Sequence, residues 1–156
     1  MMKTRNAILA AAAGAVALGA VALGAPALTS APAAAEAVVE VWKSPTCGCC
    51  GGWIDHMKAA GFTLRVHDVD DVWPLKAAKG VPETMGSCHT AEVGGYVIEG
   101  HVPAADVRRL LSEKPAVKGL AVPGMPQSAP GMDNPGQPYE VLTFGGSAAG
   151  SVYARH

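Results

Sequence analysis

Three of the four cysteines in this chain fall within four residues, Cys47-Gly48-Cys49-Cys50, and Gly51 and Gly52 follow at once. The flanks of the cluster constrain the fold. Before it, Val38-Val39-Glu40-Val41-Trp42 is a β-branched and aromatic run that reads as a strand, stopped by Ser44-Pro45-Thr46. After it, Trp53, Ile54, Met57 and Lys58 recur at helical spacing, and Gly61 stands where a glycine ends a helix. The cluster therefore occupies a strand-to-helix turn. Thiols at a helix start lie beside unpaired backbone N–H groups and the positive end of the helix dipole, which favour thiolate over thiol. Thiolate attacks disulfides and also binds soft metal ions. Cys47 and Cys50 form a C-x-x-C pair that suits either task, and the third thiol separates the two. A dithiol oxidoreductase uses one attacking and one resolving cysteine, and an extra neighbour scrambles the exchange. Three clustered thiolates suit a soft ion such as Cu(I) or Zn(II). A structural disulfide with a spare cysteine is the plainer reading, but the surrounding glycines leave little side chain to bury it.

The rest of the chain supplies a frame. Phe62–Val69 alternates apolar and polar residues, as a second strand does. Asp70 or Asp71 can cap a short helix that runs to Lys79, with Pro74 in its first turn and Gly80 at its end. Gly94-Gly95 separates Thr90–Val93 from Tyr96–Glu99, which predicts a hairpin. Pro103 opens a helix with Val107, Leu110 and Leu111 facing inward, and Pro115 closes it. The predicted order is β-α-β-α-β-β-α, an α/β fold of the thioredoxin-like kind with the cysteines at its first strand-to-helix turn. Residues 36–118 are read as this domain. Residues 119–138 hold 4 Gly and 5 Pro and are read as an irregular Met/Pro/Gly loop, with Pro-Gly-Met at 123–125 and 130–132. Residues 139–156 are read as a short C-terminal strand region and tail, in which Tyr139–Phe144 makes one strand and Ser151–Tyr153 pairs back.

Position distinguishes the other soft or titratable residues. In a thioredoxin-like layout the loop entering the hairpin passes beside the start of the first helix, so Cys88 and His89 would face the cluster and add a thiolate and an imidazole. Cys88 alone would read as a buried free cysteine. Met125 and Met132 sit in a punctuated loop rather than on a core face. A thioether selects Cu(I) and never needs to lose a proton, while loop methionines also serve as gap-fillers. His56 falls on a rotated helix face and reads as a surface residue, and His67 reads as structural. His101 precedes a helix start, where capping or exposure competes with a ligand role. Nothing singles out the terminal His156. There is no Ser/His/Asp set, phosphate loop or dinucleotide-binding glycine pattern.

The N-terminus narrows the compartment. Lys3 and Arg5 precede the uncharged Ala7–Leu28, and small residues follow to Ala35. That is the layout of a secretory signal peptide over residues 1–35, cleaved after Ala35 or Ala37. An uncleaved anchor is the alternative, disfavoured by the Ala/Gly-rich run and its Ala-x-Ala site. Of the 156 residues, 156 − 35 = 121 then remain. Of 12 basic and 13 acidic residues, 12 − 2 = 10 and 13 stay, a net charge of −3. That balance excludes nucleic acid as the main partner. No later apolar run reaches the ~20 residues of a membrane span. Four cysteines are also too few for a disulfide-built scaffold, which runs above ~8% Cys. Export implies an oxidising compartment, the periplasm or beyond.

These residues resemble a known family. The cluster Cys47–Trp53, Gly80-Val-Pro82, Ser87-Cys-His-Thr90, Gly100-His-Val-Pro103, Gly119–Pro126 and Pro130-Gly-Met132 are similar in order and content to the family called domain of unknown function 411. The resemblance runs from about Val38 to Phe144. One stretch departs from the pattern: Pro126-Gln-Ser-Ala-Pro130 stands where Pro-x-Gly-Ser-Pro is expected. The resemblance implies an exported thioredoxin-like protein that handles soft metal and is associated with copper resistance. The residues and the resemblance together yield a non-enzymatic expectation: a copper site, as Cu(I), on Cys47, Cys49, Cys50, Cys88 and His89, with Met125 and Met132 as a weaker clamp. Its task would be sequestration or transfer to copper-export or copper-resistance proteins, and two chains sharing one metal is a further arrangement. The alternatives are a thiol–disulfide oxidoreductase using Cys47 and Cys50, and a structural zinc domain.

Overall fold

A computed structural model describes residues 37–132, 134 and 136–156. The predicted signal peptide lies outside the described residues. Strand β1 (Val39–Lys43) leads into helix α1 (Gly48–Ala59), strand β2 (Leu64–Asp68) and the short helix α2 (Trp73–Ala78). A single 3-10 turn, Glu83–Met85, precedes the hairpin of β3 (His89–Val93) and β4 (Tyr96–Glu99), followed by α3 (Ala104–Glu113). This is the element order expected from the sequence. Three more strands complete the described chain: β5 (Gly119–Ala121), β6 (Glu140–Phe144) and β7 (Val152–Arg155).

The described strands form one sheet in the order β2-β1-β3-β4-β5-β6-β7. β1 runs parallel to β2 and antiparallel to β3, with Lys43 opposite His89. β4 lies antiparallel to β3 and parallel to β5. Segment 119–138 was expected to be irregular throughout, but its first three residues are β5. A Cβ on Gly119 would collide with the backbone of Val97, so glycine is what lets this stretch lie against β4. Three residues give no periodic pattern to read. β6 and β7 then extend the sheet antiparallel, as the C-terminal pattern suggested.

Strand alternation divides the sheet into two faces. Val39, Val41, Ala91, Val93 and Ile98 share a buried core with Trp53, Ile54 and Met57 of α1 and with Val107 and Leu110 of α3. The alternate residues of the hairpin, Thr90, Glu92 and Glu99, meet lysines in and just after α2 instead: Lys76 reaches Thr90 and Glu99, and Lys79, the C-cap, reaches Glu92. The helix patterns thus came from real core faces, with Leu111 only partly buried against that core. β2 is an edge strand, and its Val66 is 42% exposed. Asp71 accepts the Trp73 N–H at 2.9 Å, so one of the two paired aspartates does serve the start of α2. Among the described residues, no helix is long and apolar enough to cross a membrane.

Candidate metal centre

The sheet register brings the cysteines together. Because Lys43 ends β1 opposite His89, the turn after β1 arrives beside the residue before β3. Cys47 is the N-cap of α1, so Cys49 and Cys50 fall in its first turn, where backbone N–H groups have no helical partner. Cys47 and Cys50 are joined as a disulfide, with their Cα atoms 5.5 Å apart. Cys49 and Cys88 are free thiols. The Cys49 sulfur lies 3.6 Å from that of Cys47 and 4.0 Å from that of Cys88. All four sulfurs are within 4.8 Å of one another.

A second grouping shares Cys88. Its sulfur is 3.0 Å from His101 Nε2 and 3.5 Å from His89 Nδ1, and one ligand atom from each of these three residues lies within 4.8 Å of the others. The Pro130 carbonyl, 2.7 Å from His101 Nδ1, can only accept, so Nδ1 carries the proton. In the neutral ring Nε2 is then the lone-pair nitrogen and faces the Cys88 thiol. A carbonyl that fixes the tautomer of a histidine is a recurrent outer partner of metal ligands.

His101 is the site residue that the reading of its own neighbourhood missed. It is buried, at 1% exposure, and serves neither as a cap nor as a surface group. The hairpin held the signal. A two-residue Gly94-Gly95 turn pairs Thr90 with Glu99, and the same register carried two residues further sets Cys88 opposite His101. Gly100 donates to the His89 carbonyl at 3.0 Å and so continues the ladder.

His89 is fully buried against Trp53, with ring centroids 4.4 Å apart, and its Nε2 has no hydrogen-bond partner. A buried imidazole nitrogen without a partner costs free energy unless something binds it. Burial first, then His101 and Lys76, hold the His89 pKa well below its usual value of 6.5, so the ring is neutral. Burial, and then Cys49, push the Cys88 thiol up to about 12. Cys88 is therefore protonated at neutral pH, and a metal ion would have to displace that proton. This donor set of soft sulfurs and neutral imidazoles suits a soft ion on chemistry alone.

The Pro/Gly/Met loop comes to the site through its backbone. Gly131 packs so closely on Gly52 and Trp53 that a Cβ there would overlap the α1 backbone. Gly124 donates to the Gly86 carbonyl at 3.2 Å, and its own carbonyl accepts the Ser87 hydroxyl. Each Pro-Gly-Met segment is thus pinned beside one half of the cysteine cluster. Met125 is 53% exposed, and Met132 is half-buried. His56, read as a surface group, is half-buried, and its Nε2 accepts the Ala104 N–H at 3.0 Å at the start of α3. His67 pairs with Glu40 at 2.7 Å and stacks on Trp42. His156 lies 2.7 Å from Asp106.

Fold and side chains together define a mixed α/β protein with a soft-ligand cluster at the start of its first helix. Known proteins agree with that class. The family described as protein of unknown function DUF411 matches residues 85–132, the part that holds Cys88, His89, His101 and both loop methionines. Two solved structures are similar over nearly their whole length. "Copper resistance protein copG- Form 2" is 41% identical, covers 77% of this chain and 98% of its own, and superposes with a TM-score of 0.72. "Copper resistance protein copG- Form 1" is 41% identical over 76% of this chain and 96% of its own, with a TM-score of 0.71. No curated protein sequence matches. The chain belongs to the DUF411 family, and both of these similar structures carry the name of a copper resistance protein.

Proposed function

We propose that this protein binds copper as Cu(I) in the periplasm, on Cys47, Cys49, Cys50 and Cys88, with His89 and His101 beside them, and that it sequesters the ion or passes it to an export or resistance system. The observation that supports this most is the gathering of four sulfurs within 4.8 Å of one another. Thiolates favour Cu(I). An ion that needs fewer ligands than the site offers can leave by ligand exchange, which suits hand-over better than a closed cage. Met125 and Met132 supply an exchangeable thioether clamp in this reading. Binding through all four thiolates requires the Cys47–Cys50 bond to be reduced by two electrons first.

That same bond favours a second reading, a thiol–disulfide oxidoreductase. Cys47 caps the helix and is partly exposed, as an attacking thiol must be, while Cys50 is fully buried, as suits a resolving one. One preparation separates the two. The protein is reduced, loaded with Cu(I) under anaerobic conditions and desalted, and its metal and free thiols are counted. Retained copper with reduced thiols is the expected result. No uptake, together with rapid reduction of insulin, would replace the first reading with the second. Cys49→Ser should cripple copper retention and spare any Cys47/Cys50 exchange.

A further inference from the structure

Cys88 stands on a buried polar cluster that the metal chemistry does not use. Lys76 is 1% exposed and Glu99 is fully buried. Lys76 Nζ donates to Glu99 Oε1 at 2.5 Å and to Thr90 Oγ1 at 2.9 Å, and the Thr90 hydroxyl donates to Glu99 Oε2 at 2.7 Å. This closes a ring of three side chains from α2, β3 and β4. Glu99 Oε1 also accepts the backbone N–H of Ser87 at 2.7 Å, one residue before Cys88. Ser87 is held on two further sides: its hydroxyl donates to the Gly124 carbonyl, and a Cβ at Gly100 would overlap its side chain.

A buried ion pair is seldom retained for stability. Apolar residues of similar volume often do as well or better in its place. What this pair does that apolar residues cannot is present a fixed acceptor to the Ser87 amide. We propose that Glu99, oriented by Lys76 and Thr90, is a positioning residue that sets the Cys88 thiol against Cys49 and His101. Part of this rests on the copper-binding reading, since the value of the placement is a preassembled ligand. Positioning partners of this kind change metal affinity by about 10–100-fold when removed.

Two double variants separate the acceptor from the charge. Both delete the ion pair. Lys76→Met with Glu99→Gln keeps a side-chain oxygen for the Ser87 N–H and an amide group for Thr90, whereas Lys76→Met with Glu99→Met keeps neither. The full chain of each is compared with wild type in three ways: thermal unfolding, the alkylation rate of Cys88 read by mass spectrometry of its peptide, and Cu(I) affinity by competition with a chromogenic chelator. The Gln pair should match wild type in the last two. The Met pair should unfold at a similar temperature, alkylate several-fold faster at Cys88 and bind Cu(I) about 10-fold or more weakly. If the Met pair is folded and matches wild type, or if the Gln pair is as impaired as the Met pair, Glu99 has no positioning role. Should the Met pair fail to fold, Thr90→Val removes one hydroxyl from a strand residue that tolerates branching. Faster Cys88 alkylation in that variant supports the proposal, and an unchanged rate overturns it. Alkylation needs no metal, so a wild-type protein that binds no Cu(I) would sink the copper reading and still leave this comparison decisive.

Discussion

On one side of the sulfur cluster the glycine-rich start of α1 supplies three cysteines, and on the other the open end of the β3–β4 hairpin places Cys88 between two buried histidines. The first side is redox-active and loosely surrounded. Cys47 and Cys50 are already joined, and neither Gly48 nor Gly51 has a neighbour that a Cβ would meet. The second side is held from several directions, by Glu99 beneath Ser87, by Trp53 against His89 and by the Pro130 carbonyl on His101. Trp53 links the two, since it lies on α1 and its indole N–H donates to the Val102 carbonyl at 2.8 Å. The sulfurs thus differ in what it takes to use them: electrons for the joined Cys47 and Cys50, and removal of a proton for Cys88.

The largest effect expected from this contrast is at Cys88. Its sulfur belongs to both ligand groupings, whereas Cys47 belongs to one. Cys88→Ser should lower Cu(I) affinity by more than the ~100-fold upper range for losing an outer partner. Cys47→Ser should cost clearly less, because Cys49 and Cys50 remain beside the gap. Chelator competition on both reduced variants measures this. Equal losses would mean that the two sides contribute alike and that the comparison has no energetic content.

The next effect concerns the fold without metal. The His89 pKa lies well below 6.5 in the folded protein because the ring is buried. In the unfolded chain the ring takes up a proton as pH falls through about 6.5, and the folded state does not. The unfolded state then binds more protons, so stability is lost as pH drops below that point. One such group gives a limiting slope of about 1.4 kcal/mol per pH unit. Denaturant unfolding of the metal-free protein between neutral and mildly acidic pH should show this fall, and His89→Gln should flatten it. A variant with an undiminished slope would place the acid sensitivity elsewhere.

Much of this was legible in the residues. The strand-to-helix turn around Cys47 and the glycine hairpin both follow from local rules, and together they bring Cys88 and His89 to the cluster. His101 was legible too, but only through the register of that hairpin, not from its place before Pro103. Other features had no local signal. β5 is a strand because β4 and β6 offer it partners, and its three residues carry no period of their own. Lys76 gives no hint of burial in a short helix that Lys79 directly follows, because its partner is the carboxylate of Glu99 on a strand 23 residues away. The disulfide was one of several states open to a C-x-x-C pair with a third thiol inside it.

The smallest effect should come from the methionine loop, and it tests whether a third side exists at all. The backbone of Pro130–Met132 is fixed by Gly131 against α1 and by His101 at Pro130. Met125 is 53% exposed. A thioether carries no charge and displaces no proton, so a methionine ligand adds less to Cu(I) binding than a thiolate does. Met125→Leu keeps the size of the side chain and should change stability by no more than ~0.5 kcal/mol, as exposed substitutions generally do. If the clamp operates, Met125→Leu together with Met132→Leu should speed copper transfer to a competing chelator while hardly shifting the equilibrium affinity, because the clamp would act on escape rather than on the resting ligands. Stopped-flow transfer kinetics alongside equilibrium competition separate these quantities. Unchanged kinetics would assign both methionines to packing and leave the site with the two sides described above.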